Sequence, residues 1–244
     1  MGSGLWQLTR ALAAALVLTA LFTPLAVTAA GAASGGSQSG DAAIARSGTL
    51  VASDFPTGFE GSPSSAKSHS DNIRLAKGVG GCAPYVTLQK AVASLPQAKS
   101  SRFGDESRSI GNEVDVFPTD RAASAAMVLY AKSSIVGCLE NLFEKQARQD
   151  PDLRDSLDDV VVSIERQDIA GLGDDSVVYE GNTVFTGTDG SSQQIGIGSA
   201  AVRVGRTVDV VTYTTTGSSL TEVVTPAIDA SVSRLRAALA RSGS

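Results

Sequence analysis

The sequence predicts an α+β fold. Its elements are an antiparallel β-sheet, formed as a meander of hairpins in the C-terminal half, helices covering one face, and one disulfide. Three observations lead there. Helical spacing of apolar residues is confined to 83–95, 120–148 and the C-terminal stretch from 220. Alternation with period two fills the contiguous stretch between 158 and 215. No strand–helix–strand rhythm repeats, which removes the doubly wound parallel folds.

The elements follow in chain order. Residues 1–32 carry a single charge, Arg10, ahead of an uncharged run interrupted by Pro24 and ending in small residues. That is the layout of a secretory signal peptide. Ala30-Gly31-Ala32 fits the small-x-small rule with cleavage after Ala32, and Val27-Thr28-Ala29 is a second candidate. The uncharged run is also long enough for an uncleaved membrane anchor. Both readings export everything that follows, and the membrane is involved only through this segment.

Residues 33–47, ASGGSQSGDAAIARS, are small and polar and read as a flexible linker. A single domain is expected over 48–240, within the usual size range. It opens on GTLVASDFPTGFEGSP, a short apolar segment followed by turn signals, and SAKSHSDNIRLAKGVGG reads as irregular. Pro84 suits the first turn of a short helix that ends before Pro96. Val114 and Val116 alternate with Glu113, Asp115 and Phe117 in a strand stopped by Pro118. Thr119 or Asp120 then caps a helix expected to reach Arg148, with Ala125, Leu129, Val136, Leu139 and Phe143 as its buried stripe.

From DDVVVSIERQDI onwards the period is two. Turn signals stand at Gly181-Asn182, Asp189-Gly190 and Gly205-Arg206. Val202, Val204, Val208 and Val210 are expected on one buried face, with Arg203 and Asp209 toward water. A C-terminal helix closes the domain with Ile228, Val232 and Leu235 inward and Gly243 beyond its end.

Export decides the role of Cys82 and Cys138, the only cysteines among 244 residues. In an oxidising compartment such a pair becomes a disulfide. A catalytic thiolate would need a base, and the single histidine, His69, lies in the Ser-rich SSAKSHSDN, where exposure to solvent is expected. No G-x-S-x-G elbow accompanies His69 for a Ser-His-Asp triad. Asp174 and Asp175 lack the further oxygen ligands of a calcium loop and read as a surface turn. Glu113 and Asp115 share a strand face, which suits either a carboxylate pair or a solvated face. No cofactor or metal is expected. A net charge of −5 and only 5 % aromatic residues exclude nucleic acid as a partner.

Several short motifs carry a resemblance. SGTLVASDFPTGFE is similar to the opening of many exported actinobacterial proteins, GLGDDSVVY to their strand entry, and VRVGRTVDVV to their penultimate hairpin. DVFPTDRAASAAM followed by IVGC matches their cysteine-bearing helix after a strand. Over about 48–240 the set resembles the extracellular sensor-like domain of mycobacterial receptor serine/threonine kinases of the PknH type. The resemblance implies a helix-covered antiparallel sheet with a cleft and a ligand-sensing role. A kinase domain, a second disulfide and a lipid-attachment cysteine, found in relatives, are missing from this sequence.

The expectation is therefore a non-enzymatic module, secreted or held in the cell envelope, that binds or senses a small molecule. A structural module docking an envelope protein, or a secreted carboxylate-dependent hydrolase, are the alternatives.

Overall fold

The computed structural model describes residues 35–64, 68–167, 169, 171–216 and 221–243. The predicted signal peptide and its cleavage site after Ala32 lie outside the described residues. The chain forms α1 (Gly35–Gly48), a 3-10 turn (Ala52–Asp54), β1 (Glu60–Ser62), α2 (His69–Ala76), α3 (Ala83–Val92), β2 (Gln97–Lys99), β3 (Arg102–Gly104), β4 (Arg108–Val116), α4 (Asp120–Tyr130) and α5 (Ser134–Gln149). The hairpin meander follows as β5 (Leu157–Gln167), β6 (Asp175–Gly187), β7 (Ser192–Val204) and β8 (Thr207–Thr215), and α6 (Thr221–Ser242) ends the described chain.

The eight strands make one sheet in the order β1-β3-β4-β8-β7-β6-β5, with β2 pairing to β4 beside β3. All pairings are antiparallel. The α+β class, the C-terminal meander and the disulfide agree with the sequence reading. The helices do more than cover one face. On one side α2, α3, α4 and α5 pack over Val177, Tyr179, Val208 and Val210. On the other, α1 and α6 pack over Val114, Val178, Val202 and Val211. Being covered twice explains why all nine residues of β8 are buried.

That second layer corrects three expectations. Val202 and Val204 belong to the α1/α6 side while Val208 and Val210 belong to the other, because the two strands cross the turn in antiparallel register with Val202 opposite Asp209. Asp209 is wholly buried instead of facing water. Residues 35–47, placed by composition in a linker, fall within α1, whose Ile44 and Ala45 are buried. Small residues let it lie close to α6: a Cβ on Gly48 would come within 2.6 Å of Leu235 Cδ2.

The α1/α6 layer is fastened by a polar network. Asn112 on β4 donates to Gly48 O (3.0 Å) and to Asp209 Oδ1 (2.8 Å), and accepts from Leu50 N (2.9 Å). Ser231 on α6 bonds both Gly48 O, at 2.7 Å, and Asp209 Oδ2. Four segments far apart in sequence thus meet at one buried point.

Three further differences are local. The stretch around His69 is helical because Ser68 caps it: its hydroxyl accepts from Asp71 N, and Asp71 returns the bond to Ser68 N. The expected helix 120–148 breaks at 131–133 into α4 and α5, bent by 69°. The break takes Lys132 off the buried stripe and turns Ile135, Cys138, Leu139 and Leu142 inward. Met127 and Tyr130, not Ala125 and Leu129, form the inner face of α4. Finally, β6 runs straight through Gly181-Asn182. Of the three predicted turn signals, those at Gly190 (φ 79°) and Gly205 (φ 54°) form turns, where glycine takes the left-handed conformation that L residues resist.

Candidate functional site

The predicted candidates sort into two polar places. The first lies under α2 and α3. Glu113 and Asp115 project from β4 on the side where their register partners Val210 and Val208 join the first core. Both are 2 % exposed, so they do not form the solvated face that alternation allowed. Both Glu113 oxygens and Asp115 Oδ1 are buried without a hydrogen bond. His69 is buried as well, which corrects its expected exposure: the capped start of α2 turns its ring inward.

His69 Nδ1 stands 2.7 Å from Gln89 Oε1, an acceptor, so Nδ1 carries the proton. Its Nε2 then faces Glu113 Oε1 at 3.8 Å with a lone pair. Burial pushes the Glu113 carboxyl well above the usual range, with the nearby Asp115 adding to it. Burial raises Asp115 to about 8. Burial likewise lowers His69 and brings Lys99 down to about 8. The low-dielectric setting favours neutral forms throughout. These groups face a packed core, and none of them lines the cavity described next.

That cavity is the second place. It is a trough of about 420 Å³ on the opposite side of the sheet, across β5, β6, β7 and β8. Strand register lays out its floor in two rows. One row is Glu165, Glu180, Gly198 and Tyr213; the other is Ser163, Asn182, Gly196 and Thr215. On β7 both rows hold glycine, and that makes the hollow. A Cβ on Gly198 would lie 2.1 Å from the Tyr213 ring, so the ring occupies the space a side chain would take. The Tyr213 hydroxyl donates to Glu180 Oε1 at 2.7 Å and fixes that carboxylate. Burial raises the Tyr213 phenol, and Glu180 adds to the shift, so the hydroxyl stays a donor. No residue of α1 or α6 lines the trough.

Sequence reasoning missed these residues. Alternation placed Glu165 and Glu180 on strands and left Asn182 in a turn, whereas the trough needs four strands in register with Asn182 mid-strand. The usable signal was the spacing Gly196-x-Gly198 opposite Tyr213.

Cys82 caps the start of α3 and is bonded to Cys138 of α5, with Cα atoms 4.8 Å apart. Asp174 sits in the turn before β6, where its Oδ2 accepts from Gly205 N at 2.7 Å, and Asp175 begins the strand. Among the described residues no group of three or more His, Cys, Asp or Glu converges as a metal set.

No family model matches the sequence, and no curated protein matches it. Among solved structures the chain is similar to the extracellular domain of PknH from Mycobacterium tuberculosis. The TM-score is 0.33 and the identity 11 %, covering 64 % of this chain and 75 % of that one. It is also similar, with a TM-score of 0.17 and 9 % identity, to the Ran-binding protein Mog1p of Saccharomyces cerevisiae, over 60 % of this chain and 92 % of that one.

Proposed function

We propose that the protein is a non-enzymatic, extracytoplasmic binding module whose ligand occupies the trough on β5–β8. The observation that carries this reading is the trough itself: a preformed hollow of about 420 Å³ with polar groups converging on a glycine floor. Sites for small molecules are typically concave, largely preformed and of this size. The predicted export segment and the disulfide support an extracytoplasmic setting.

Hydrolysis by paired carboxylates fits the molecule less well. The acid of such a pair needs desolvation while remaining within reach of substrate. Glu113 and Asp115 are desolvated but enclosed, whereas Glu165 reaches the trough but stands exposed. The two requirements are met by different residues on opposite sides of the sheet.

Native mass spectrometry of the protein from its own host, alongside an Asn182→Trp variant, tests the reading. Asn182 is exposed, so tryptophan fills the trough without entering a core. A small-molecule adduct on the unaltered protein that the variant lacks is the expected result. An unaltered protein without adduct, whose trough amide resonances move for no compound in a small-molecule library, would overturn it.

A further inference from the structure

The trough's lining goes further and indicates what chemistry it takes. Glu165 and Glu180 are direct register partners on neighbouring strands, so their carboxylates leave the sheet side by side. Like charges in that position repel, and a sheet tolerates them best when a counter-charge lies between. No Lys or Arg lines the trough. Neither glutamate forms an ion pair with a described residue, and Glu180 receives only the Tyr213 hydroxyl. The basic residue in register with the second row is Arg108, opposite Thr215. Its guanidinium is bound to Asp105 and stacked 4.9 Å over the Phe59 ring, away from the glutamates.

We propose that the trough binds a small organic cation, with an ammonium group between Glu165 and Glu180 and a hydroxyl-bearing body over Ser163 and Asn182. The inference rests on the reading of the trough as a ligand site. An ammonium group has three donors and no acceptor. Glu165, the free oxygen of Glu180 and Asn182 Oδ1 supply three acceptors on adjoining rows. A bare divalent ion matches less well. Calcium asks for six to eight oxygens and magnesium for near-octahedral geometry. Here only two carboxylates are present, one of them already accepting from Tyr213, and a volume of about 420 Å³ far exceeds an ion. The body above the ammonium is polar because the surrounding groups are hydroxyls, amides and glycine backbone.

Titration followed by amide resonances distinguishes the possibilities, with glucosamine, N-acetylglucosamine and calcium chloride as probes. The two sugars share a ring and hydroxyls, but only the first carries an ammonium group. Expected are shifts of trough residues with glucosamine, weakened roughly ten-fold in Glu165→Gln and reduced by added salt. Binding of N-acetylglucosamine as tight as glucosamine, or calcium as the only binder, would overturn the cation assignment while leaving the trough a site. Trough resonances that move for none of the three would overturn this assignment. If they also stay still for the wider library, the site itself falls with it.

Discussion

Asp209 shows how much a single proton holds together. The Ser231 hydroxyl has one hydrogen but two oxygen neighbours, Gly48 O and Asp209 Oδ2. The carbonyl can only accept, so Ser231 donates to it, and the remaining contact requires a proton on Asp209. Burial raising Asp209 to about 7 agrees with that hydrogen-bond count. A carboxyl raised on folding stabilises fully below its unfolded value and loses that contribution as pH climbs through the folded one. Asp115, raised to about 8, and Glu113, raised by burial, act in the same direction. His69, lowered by burial, acts oppositely: its contribution is present above its ordinary value and lost as pH falls. Lys99, brought down to about 8, opposes the carboxyls only near the top of this range. Three carboxyls outweigh it and the imidazole, so the melting temperature is expected to fall by about 5 °C or more between pH 5 and pH 8. Thermal melts across that range check it, and a flat or rising profile would contradict neutral carboxyls in the core. Asp209→Asn keeps a donor and an acceptor in place and should cost under about 1 kcal/mol while flattening the slope. Asp209→Ala takes one buried partner each from Asn112 and Ser231, leaves a hole in the core, and should cost roughly 2–4 kcal/mol in denaturant unfolding. None of this was legible in the sequence. The alternation of valine with acid on β4 and β8 says that two faces differ; it does not say that helices close both.

At the scale of elements, periodicity was read well wherever one partner decides the pattern. The two hairpin turns at 189–190 and 205–206 needed only a glycine free to take positive φ, and they formed. Gly181-Asn182 carries the same local signal but lies mid-strand, because pairing on both edges of β6 outweighs a turn propensity. The helix break at 131–133 was hidden for a similar reason: a lysine in an apolar stripe reads as an interruption until the bend removes it. The disulfide ties α5, which begins at this break, to α3. It links the start of α3 to the second turn of α5 across a sequence separation of 56 residues, with both sulfur-bearing residues buried in the first core. In the loop-entropy account, closing such a loop stabilises the fold by about 4 kcal/mol. Replacing both cysteines by alanine should therefore lower the melting temperature by roughly 10 °C without altering the strand pattern. Calorimetry of the double variant gives the first quantity and amide-resonance dispersion the second. A drop within about 2 °C would mean that helix packing alone already restrains these segments.

The whole molecule is a sheet held between two helical layers that differ in how they are secured. The α2–α5 layer is contiguous in sequence and carries a covalent tie. The α1/α6 layer is drawn from the two ends of the described chain and has no such tie. It depends on Ile44 and Ala45 against α6, on Gly48 lying close to Leu235, and on the Asn112–Asp209–Ser231 network that receives the Gly48 carbonyl. Arg206 of the β7–β8 turn reaches Asp41, and Arg234 of α6 reaches Asp54 together with the carbonyls of Ser47 and Thr49. The first helical stretch is thus part of the core, even though its composition is that of a linker. A protein shortened to begin at Thr49 uncovers one face of α6 and strips Asn112 and Ser231 of the Gly48 carbonyl. Losing the buried Ile44 side chain costs roughly 2 kcal/mol, and each orphaned polar group about 1 kcal/mol or more. Set beside a typical domain stability of about 5–15 kcal/mol, the shortened form should melt more than about 8 °C lower. Hydrogen exchange should rise first in α6 and along β8, while α3 and α5 stay protected by their disulfide. Exchange that rises equally in both layers would show that the sheet couples them into one cooperative unit, and unchanged stability would return residues 35–48 to the role of a linker.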